Sequence, residues 1–240
     1  KSARAIAMPN SPWKHGCGVS GGGCMWLLAS IGYHVRMSYV PTHHEQAAAM
    51  AAESYSRLRG IGCCLVTTGP GGTNTLTGVA CAWVDSIPVL FLSGQVTQDT
   101  LIGDHDLRQF GVQEADIVTL VSSITKYAVT VKDPLRIRFE LEKAVSIMAS
   151  GRPGPVWVEI PLDVQSKDIN PDALVGYRLH QQHVPVASDE HIYECIRMLK
   201  AAKRPVLVVG YGVRLACPQL RLHDLVEALQ IPVISSWTAA

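Results

Sequence analysis

A short polar run, Thr42-His43-His44-Glu45, lies between a strand-like segment and an alanine-rich helical stretch. The spacing of Thr42 and Glu45 is that of a capping box, in which both side chains satisfy backbone N–H groups at a helix start. Glu45 could instead be a catalytic carboxylate that exchanges a proton with a bound ligand. Adjacent histidines at a helix start point apart and no third ligand accompanies them, so we expect no metal site here.

Three glycine-rich turns have the composition of ligand-binding loops. Gly21-Gly22-Gly23 is the first, Thr-Thr-Gly-Pro-Gly-Gly-Thr-Asn over 67–74 is the second, and Gly94-Gln95 closes an apolar strand. Glycine lets backbone pass close to a ligand, and a helix start offers free N–H groups. The second turn is neither G-x-G-x-x-G nor a P-loop. From its residues alone it is either a phosphate-binding loop or a simple tight turn.

Strand-sized apolar runs alternate with helical stretches along the chain. This alternation predicts βαβ units and an α/β fold with a doubly wound parallel sheet covered on both faces. Ligands of such sheets bind beyond the carboxyl ends of the strands, where Glu45, the Gly69 turn and Gln95 would meet. The predicted strands are residues 37–40, 62–67, 88–93, 126–131, 156–160, 206–209 and 232–235, and the predicted helices are 44–59, 72–83, 135–150, 190–202 and 218–229.

The composition changes after Pro161, where polar residues and prolines replace the periodic pattern. We therefore predict a first domain over residues 1–165, a linker over 166–188, and the start of a Rossmann-like second domain over 189–240. Two strands and two helices make an incomplete sheet with an exposed edge, so we expect the chain to be part of a larger protein. Gly210-Tyr211-Gly212 resembles half of a dinucleotide turn and carries little weight alone.

The bulk composition excludes several classes of protein. With 21 basic and 20 acidic residues the net charge is +1, so no basic excess exists to bind nucleic acid. The apolar runs are strand-sized and fall short of the roughly 18 residues of a membrane span. The seven cysteines form no C-x-x-C pair. This pattern predicts reduced, partly buried thiols in a cytoplasmic protein.

Three long segments resemble the N-terminal domain of acetolactate synthase and its relatives, which use thiamine diphosphate. They are HHEQAAAMAAESYSRLRG from His43, TTGPGGTNTLTGVACAWVDSIPVLFLSGQ from Thr67 and SGRPGPVWVEIPLDVQ from Ser150. The resemblance covers roughly residues 16–165, and residues 202–236 are similar to the start of the family's central domain. It implies a pyrimidine-binding domain and an enzyme that condenses or decarboxylates 2-keto acids.

The resemblance places the activation of the cofactor on Glu45, which would bond to the pyrimidine N1′ of thiamine diphosphate. Such a glutamate should be buried and have a pKa above its ordinary value, which suits proton transfer near neutral pH. In this family a separate C-terminal domain, usually of the neighbouring subunit, holds the diphosphate and Mg²⁺. We therefore expect no metal ligands in this chain.

The resemblance implies further site residues and partners. For Arg152, which matches an arginine that contacts FAD in the synthases, a plain helix C-terminal cation is the open alternative. The implied partners are a 2-keto acid and either a homo-oligomer (a dimer or tetramer) or the C-terminal half of the enzyme. The predicted cofactor-binding residues are Gly21, Gly22, Glu45, Gly69, Pro70, Asn74, Gln95 and Arg152, and Phe110 and Gln113 are predicted to lie near the substrate.

Because the implied diphosphate site is on another domain, we expect this chain to be inactive by itself and to expose apolar surface. Three alternatives stay open. The chain could be the pyrimidine-domain subunit of a split 2-keto acid decarboxylase, a non-enzymatic α/β binding module, or an inactive degraded gene product. The segment after Pro205 argues against the first of these, because that type of subunit normally ends with its first domain.

Overall fold

The computed structural model describes residues 14–34, 36–178, 186–216 and 222–239. The chain divides into two compact units, Lys1–Gln182 and His183–Ala240. Within the described ranges, no helix is both long enough and apolar enough to cross a membrane. The first part of the predicted helix over 218–229 lies outside these ranges. The domain boundaries predicted at residues 165 and 189 stay a prediction.

The first unit is built around a six-stranded sheet in which every pair of neighbouring strands is parallel. The strand order is β2-β1-β3-β4-β6-β5. This arrangement confirms the predicted α/β fold with a parallel sheet. The strands are β1 (His15–Gly18), β2 (Ser38–Pro41), β3 (Gly62–Val66), β4 (Val89–Gln95), β5 (Tyr127–Thr130) and β6 (Val156–Pro161).

Helices connect these strands. The predicted helices over residues 44–59 and 135–150 are present, whereas the helices Met25–Gly32, Ile117–Val121 and Leu162–Gln165 were not predicted. The helix predicted over residues 72–83 is divided in two, because glycines weaken its first turn and the Thr75 hydroxyl donates a 2.7 Å hydrogen bond to the Gly72 carbonyl. The helices are α1 (Met25–Gly32), α2 (Glu45–Arg59), α3 (Pro70–Thr73), α4 (Leu76–Val84), α5 (Ile117–Val121), α6 (Ile137–Ala149) and α7 (Leu162–Gln165).

The core lies on both faces of the three central strands. Every residue of β3, β4 and β6 is buried, as expected for parallel strands covered by helices on both sides. The rings of Phe91 and Trp157 stack with centroids 5.5 Å apart and an angle of 6° between their planes. The Trp157 indole N–H also donates a 2.9 Å hydrogen bond to the Ser93 hydroxyl. These contacts fix β4 against β6.

The strand order reverses between β1 and β3. From β1 the chain moves outward to β2 and then returns to place β3 on the other side of β1. In doubly wound sheets a ligand-binding crevice forms at such a switch point, beyond the carboxyl ends of the strands. The turn at Gly21-Gly22-Gly23 follows β1, and the turn over residues 67–74 follows β3. Two of the predicted glycine turns therefore flank the crevice.

The second unit contains a two-stranded parallel sheet. Ser188 caps its first helix by accepting a hydrogen bond from the His191 backbone N–H. The Gly210-Tyr211-Gly212 turn leads directly from a strand into a helix that begins at Tyr211. These elements agree with the predicted α/β pattern. They are α8 (Asp189–Ala201), β7 (Leu207–Val209), α9 (Tyr211–Ala216), α10 (Leu222–Leu229) and β8 (Val233–Ser235).

Candidate functional site

Glu45 is the first residue of α2, just beyond the carboxyl end of β2. The N-cap of this helix is His44, whose Nδ1 accepts a 3.1 Å hydrogen bond from the Gln46 backbone N–H. The Thr42 hydroxyl donates to the His44 carbonyl, at 2.9 Å. The capping-box interpretation is therefore wrong, because the imidazole takes the capping role. The Glu45 carboxylate therefore does not cap its own helix.

The partner of Glu45 comes from a different part of the chain. Asn74, which follows α3, donates a 2.9 Å hydrogen bond from its side-chain amide to Glu45 Oε2. Oε1 has no hydrogen-bond partner among the residues that the structure describes. Glu45 is half-buried, whereas we expected a buried carboxylate. One carboxylate oxygen is thus oriented by protein and the other is left for a ligand.

The first two glycine turns are in direct contact with each other. A Cβ atom at Gly21 would lie 2.5 Å from the Thr67 Cβ, and one at Gly23 would lie 2.0 Å from the Thr68 Oγ1. The Gly23 backbone N–H also donates a 3.2 Å hydrogen bond to the Thr67 hydroxyl. Only glycine allows this approach. The Thr68 hydroxyl is buried without a hydrogen-bond partner in the described structure.

The third glycine turn packs against the first. A Cβ atom at Gly94 would lie 1.8 Å from the Gly23 carbonyl oxygen. Gly22 differs, because it is exposed and a Cβ atom there would meet no atom within 4 Å. The convergence of all three turns at the carboxyl edge agrees with the expectation from their sequence positions. Gly22 is the position at which this backbone faces open space.

The segment that carries Phe110 and Gln113, which were predicted to lie near the substrate, also contacts these turns. Gly69 has a φ of 54°, and a Cβ atom there would lie 1.8 Å from the Gln113 carbonyl oxygen. The Gln113 side chain is exposed, as is Pro70 at the first position of α3. The ring of Phe110 is about half exposed and lies 5.5 Å from the ring of His105. The structure thus brings the predicted substrate segment against the predicted cofactor turn.

Gln95 is at the carboxyl end of β4, and its side chain is turned into the protein. It is 2% exposed. Its amide nitrogen donates to Glu159 Oε1 at 2.9 Å and to the Ala115 carbonyl at 3.0 Å. Its amide oxygen accepts a 2.9 Å hydrogen bond from the Val96 backbone N–H. Every polar atom of the Gln95 side chain is therefore occupied.

Glu159 is a site residue that the sequence analysis missed. It is 3% exposed, and its Oε2 accepts a 2.7 Å hydrogen bond from the Thr130 hydroxyl. Burial raises the pKa of Glu159 to about 7, and the negative charges of Asp116 and Glu114 add to this rise. The hydrogen bonds from Thr130 and Gln95 lower this pKa, but burial outweighs them. A carboxylate within the apolar strand VWVEI was the available signal.

Gln165, in α7, is a second residue that was missed. Its amide nitrogen donates 2.7 Å hydrogen bonds to the Gly23 and Ile160 carbonyls. It therefore links the first glycine turn to the carboxyl end of β6. No local sequence signal marks this role, because the bond to Gly23 spans 142 residues of sequence.

Buried thiols lie behind the site. Cys17 and Cys64 are register partners on β1 and β3. Burial raises the pKa of both thiols, and the negative charge of Glu45 contributes to the rise at Cys64. Both therefore stay protonated and unreactive at neutral pH. The cysteines within the described ranges are free, in agreement with the expectation of reduced, partly buried thiols; Cys217 lies outside those ranges, and a cytoplasmic location stays a prediction.

Arg152 is not brought together with the other predicted residues. It precedes β6 and therefore lies at the amino edge of the sheet, whereas Glu45 follows β2 at the carboxyl edge. Its Nε donates a 2.6 Å hydrogen bond to the Ser86 hydroxyl. A role for Arg152 in FAD binding stays a prediction. Arg152 lines a cavity of about 570 Å³ together with Trp83, Val84, Lys126, Ser150, Gly151 and Pro153.

In the described part of the chain, no cluster of three or more His, Cys, Asp or Glu side chains is arranged to hold a metal ion. His43 and His44 accordingly have no third ligand beside them. The expectation that Mg²⁺ is bound by another domain stays a prediction.

The site and the fold together define a class of protein. Residues 7–120 match the family model of the thiamine pyrophosphate enzyme N-terminal binding domain, and residues 192–240 match that of the thiamine pyrophosphate enzyme central domain. Thiamine pyrophosphate is another name for thiamine diphosphate. The two matches come in the order that the resemblance implied, and together they cover more than half of the chain. The chain belongs to the thiamine pyrophosphate enzyme family.

Within that family, proteins similar to this chain include acetolactate synthases. The chain is 35% identical to the acetolactate synthase large subunit of Parasynechococcus marenigrum, over 83% of this chain and 32% of that protein. It is 37% identical to the acetolactate synthase of Arthrospira platensis, over 80% and 33%. It is also 37% identical to the acetolactate synthase isozyme 3 large subunit of Escherichia coli, over 91% and 38%. The chain spans about a third of the length of these relatives.

Proposed function

We propose that the chain supplies the pyrimidine side of a thiamine-diphosphate site in an enzyme that acts on 2-keto acids, as acetolactate synthases do. The observation that carries this proposal is the placement of Glu45. Its carboxylate accepts a hydrogen bond from Asn74 in the neighbouring turn, whereas His44 caps the start of α2. The relatives named above and both family matches support the same class of chemistry.

The residues at the carboxyl edge fit the pyrimidine end of the cofactor. Glu45 Oε1 would bond to the ring nitrogen N1′ and exchange a proton with it, while Asn74 keeps the carboxylate oriented. Gly22 offers a backbone surface without a side chain, and Gly69 and Pro70 line the adjoining turn. When bound, the cofactor supplies an electron sink for the carbon that leaves or joins the 2-keto acid.

The incomplete burial of Glu45 bears on the partners that the enzyme needs. Proton transfer of this kind works best in a site from which water is excluded, and the described residues of this chain leave Glu45 only partly buried. We propose that another domain or subunit covers the crevice and provides the Mg²⁺ and diphosphate ligands. FAD bound near Arg152 is a further proposal, which the flavin absorbance of the purified enzyme tests.

Two alternatives differ from this proposal in their consequences. A split decarboxylase subunit would carry the pyrimidine domain alone, and the match of residues 192–240 to the family's central domain favours the fused enzyme. A non-enzymatic α/β module would make no use of a proton-transferring carboxylate. The Glu45→Gln variant therefore distinguishes an enzyme from a binding module.

The experiment compares Glu45→Gln with the parent in an enzyme that includes the diphosphate-binding domain. Thiamine-diphosphate binding is measured by calorimetry with Mg²⁺, and turnover is measured with pyruvate. We expect turnover to fall at least about 100-fold, because a positioned general acid–base group contributes on the order of 100-fold to 10,000-fold. Binding should fall much less, because the amide can still bond to N1′.

A matched control is Glu142→Gln, which changes a carboxylate in α6 that bonds to Arg138 and the Tyr177 backbone. This variant should keep parental turnover. Equal turnover of Glu45→Gln and the parent would contradict the proposal.

A further inference from the structure

The segment over residues 98–116 joins β4 to α5 and carries Phe110 and Gln113. Its first residue, Gln98, donates hydrogen bonds from its backbone and side-chain amides to the Asp163 carboxylate, at 3.1 and 2.9 Å. The side chains of residues 103–110 are exposed. The segment therefore has little apolar burial of its own and depends on polar contacts to keep its position.

A second carboxylate holds the segment together from inside. Glu114 Oε1 accepts a 2.6 Å hydrogen bond from the Ile102 backbone N–H, and its Oε2 accepts a 3.2 Å hydrogen bond from Gly111. These bonds close the exposed stretch into a loop. They do not attach this loop to the sheet.

The attachment at the far end of the segment runs through Gln95. One amide nitrogen of Gln95 bridges the Ala115 carbonyl, in the segment, and the Glu159 carboxylate, in β6. Ala115 directly precedes Asp116, the N-cap of α5. Within the described part of the chain, the hydrogen bonds of Glu159 therefore reach the segment through Gln95. Glu159 is the most buried of the three carboxylates that organise this region, which are Asp163, Glu114 and Glu159.

We infer that Glu159 is a positioning residue, which acts through Gln95 to set how firmly the segment over residues 98–116 is held at the carboxyl end of β4. This inference rests on the proposed function, because the segment is expected to lie beside the substrate. Because Glu159 itself is buried beneath the edge, we expect it to act through Gln95 and not by contact with cofactor or substrate.

The partners of Glu159 accommodate both of its charge states. The Thr130 hydroxyl can donate to an ionised carboxylate and can accept from a protonated one. The Gln95 amide donates to Oε1 in either state, but a hydrogen bond to an ionised group is roughly twice as strong. Ionisation of Glu159 therefore strengthens the bond from Gln95, but it also adds repulsion from Glu114 and Asp116, which belong to the segment. Asp116 affects the pKa of Glu159 more than Gln95 does, so the segment should be held less firmly as pH rises through about 7.

The other charged groups that act on Glu159 have known signs. Asp116, at the start of α5, and Glu114, within the segment, are both negative and both raise this pKa. The hydrogen bonds from Thr130, in β5, and Gln95, in β4, lower it. These signs predict whether a given substitution raises or lowers the pKa of Glu159, and this makes the inference testable.

The test is hydrogen exchange of the backbone amides of residues 98–116 in the enzyme that includes the diphosphate-binding domain. Protection is corrected for intrinsic exchange and compared at about pH 6 and about pH 8, on either side of the Glu159 pKa of about 7. In the parent we expect protection to fall several-fold between these values, because repulsion from Glu114 and Asp116 outweighs the stronger bond from Gln95. Glu159→Gln, which is uncharged at both values, should show the higher protection at both, and the control Glu142→Gln should behave as the parent.

Thr130→Val provides a second variant that keeps the size and the carboxylate. It removes a hydrogen bond that lowers the pKa of Glu159, so the pH midpoint of protection should shift upward. A purely structural role of Glu159 would not produce this shift. An unchanged midpoint in Thr130→Val, or parental pH dependence in Glu159→Gln, overturns the inference.

Kinetics connect the segment to the reaction. If the segment positions the substrate, Glu159→Gln should lower the KM for the 2-keto acid several-fold at about pH 8 and change kcat little. An unchanged KM together with altered exchange would overturn the positioning role. Failure of the parent to bind thiamine diphosphate would instead overturn the proposed function, so the two failures are distinguishable.

Discussion

Asn74 and Glu45 are joined by a 2.9 Å hydrogen bond although 29 residues separate them in the chain. Asn74 follows the turn after β3, and Glu45 follows β2, so the bond spans two strand-to-helix junctions at the same edge of the sheet. The orientation of the carboxylate is therefore a property of the tertiary structure. A helix cap would have been purely local.

Removal of this bond should affect catalysis more than folding. Asn74 is exposed, so Asn74→Ala should change the free energy of unfolding by no more than about 0.5 kcal/mol. Loss of orientation at Glu45 should lower kcat/KM on the order of tenfold. Thr73→Ala, at the adjacent position, is the control. A large loss of stability in Asn74→Ala would show that the bond is mainly structural.

Two glycines should respond in opposite ways to the same added methyl group. Gly94→Ala would place a Cβ atom 1.8 Å from the Gly23 carbonyl oxygen, and the necessary backbone shift should cost about 3 kcal/mol of stability. Gly22→Ala meets no atom within 4 Å and should leave the melting temperature unchanged. If Gly22 faces the cofactor, its variant should bind thiamine diphosphate more weakly. Equal melting temperatures for the two variants would contradict the packing described here.

The buried carboxylate of Glu159 should make folding depend on pH. Its pKa is about 7 in the folded protein, against 4.5 for an ordinary glutamate side chain. Between these values the folded chain keeps a proton that the unfolded chain has released, so this group's contribution to stability declines as pH rises, by up to about 3 kcal/mol. In Glu159→Gln the contribution of residue 159 to stability does not change with pH. Its free energy of unfolding relative to the parent should therefore increase from about pH 5 to about pH 8 in urea titrations, and a constant difference would refute the assignment.

The stacked pair in the core offers a test of the hydrogen bond between Trp157 and Ser93. Ser93→Ala leaves the indole N–H buried and unpaired, which should cost about 1–3 kcal/mol. Trp157→Phe removes the donor and keeps an aromatic ring against Phe91. In the double variant the two effects should be less than additive by about 1 kcal/mol. Strict additivity would mean that the bond contributes nothing to stability.

The strands with continuous apolar runs were predictable from the sequence. β3, β4 and β6 lie within two residues of their predicted bounds, because their residues are buried on both faces. α2 and α8 were placed within one residue for a similar reason, since their helical stretches have clear starts. These elements contain most of the information about the fold class.

β1 was not predicted, because its sequence His-Gly-Cys-Gly contains two glycines and no β-branched residue. Only its pairing with β2 and β3 makes it a strand. The switch point between β1 and β3 was therefore invisible in the sequence, although the glycine turns that flank it were identified. The hydrogen bonds that Glu159 makes with Gln95 and Thr130 were also not predictable from the sequence, because the three residues lie in three different strands.

The free thiols of this chain differ in accessibility, and this has a practical use. Among the cysteines that the structure describes, Cys81 and Cys195 are at the surface, one in each compact unit, and the remaining four are buried. With Cys217 replaced by serine, maleimide dyes should attach at these two native positions and leave the thiols behind Glu45 untouched. Resonance energy transfer between the dyes would then report, in real time, whether the distance between Cys81 and Cys195 changes as cofactor is added.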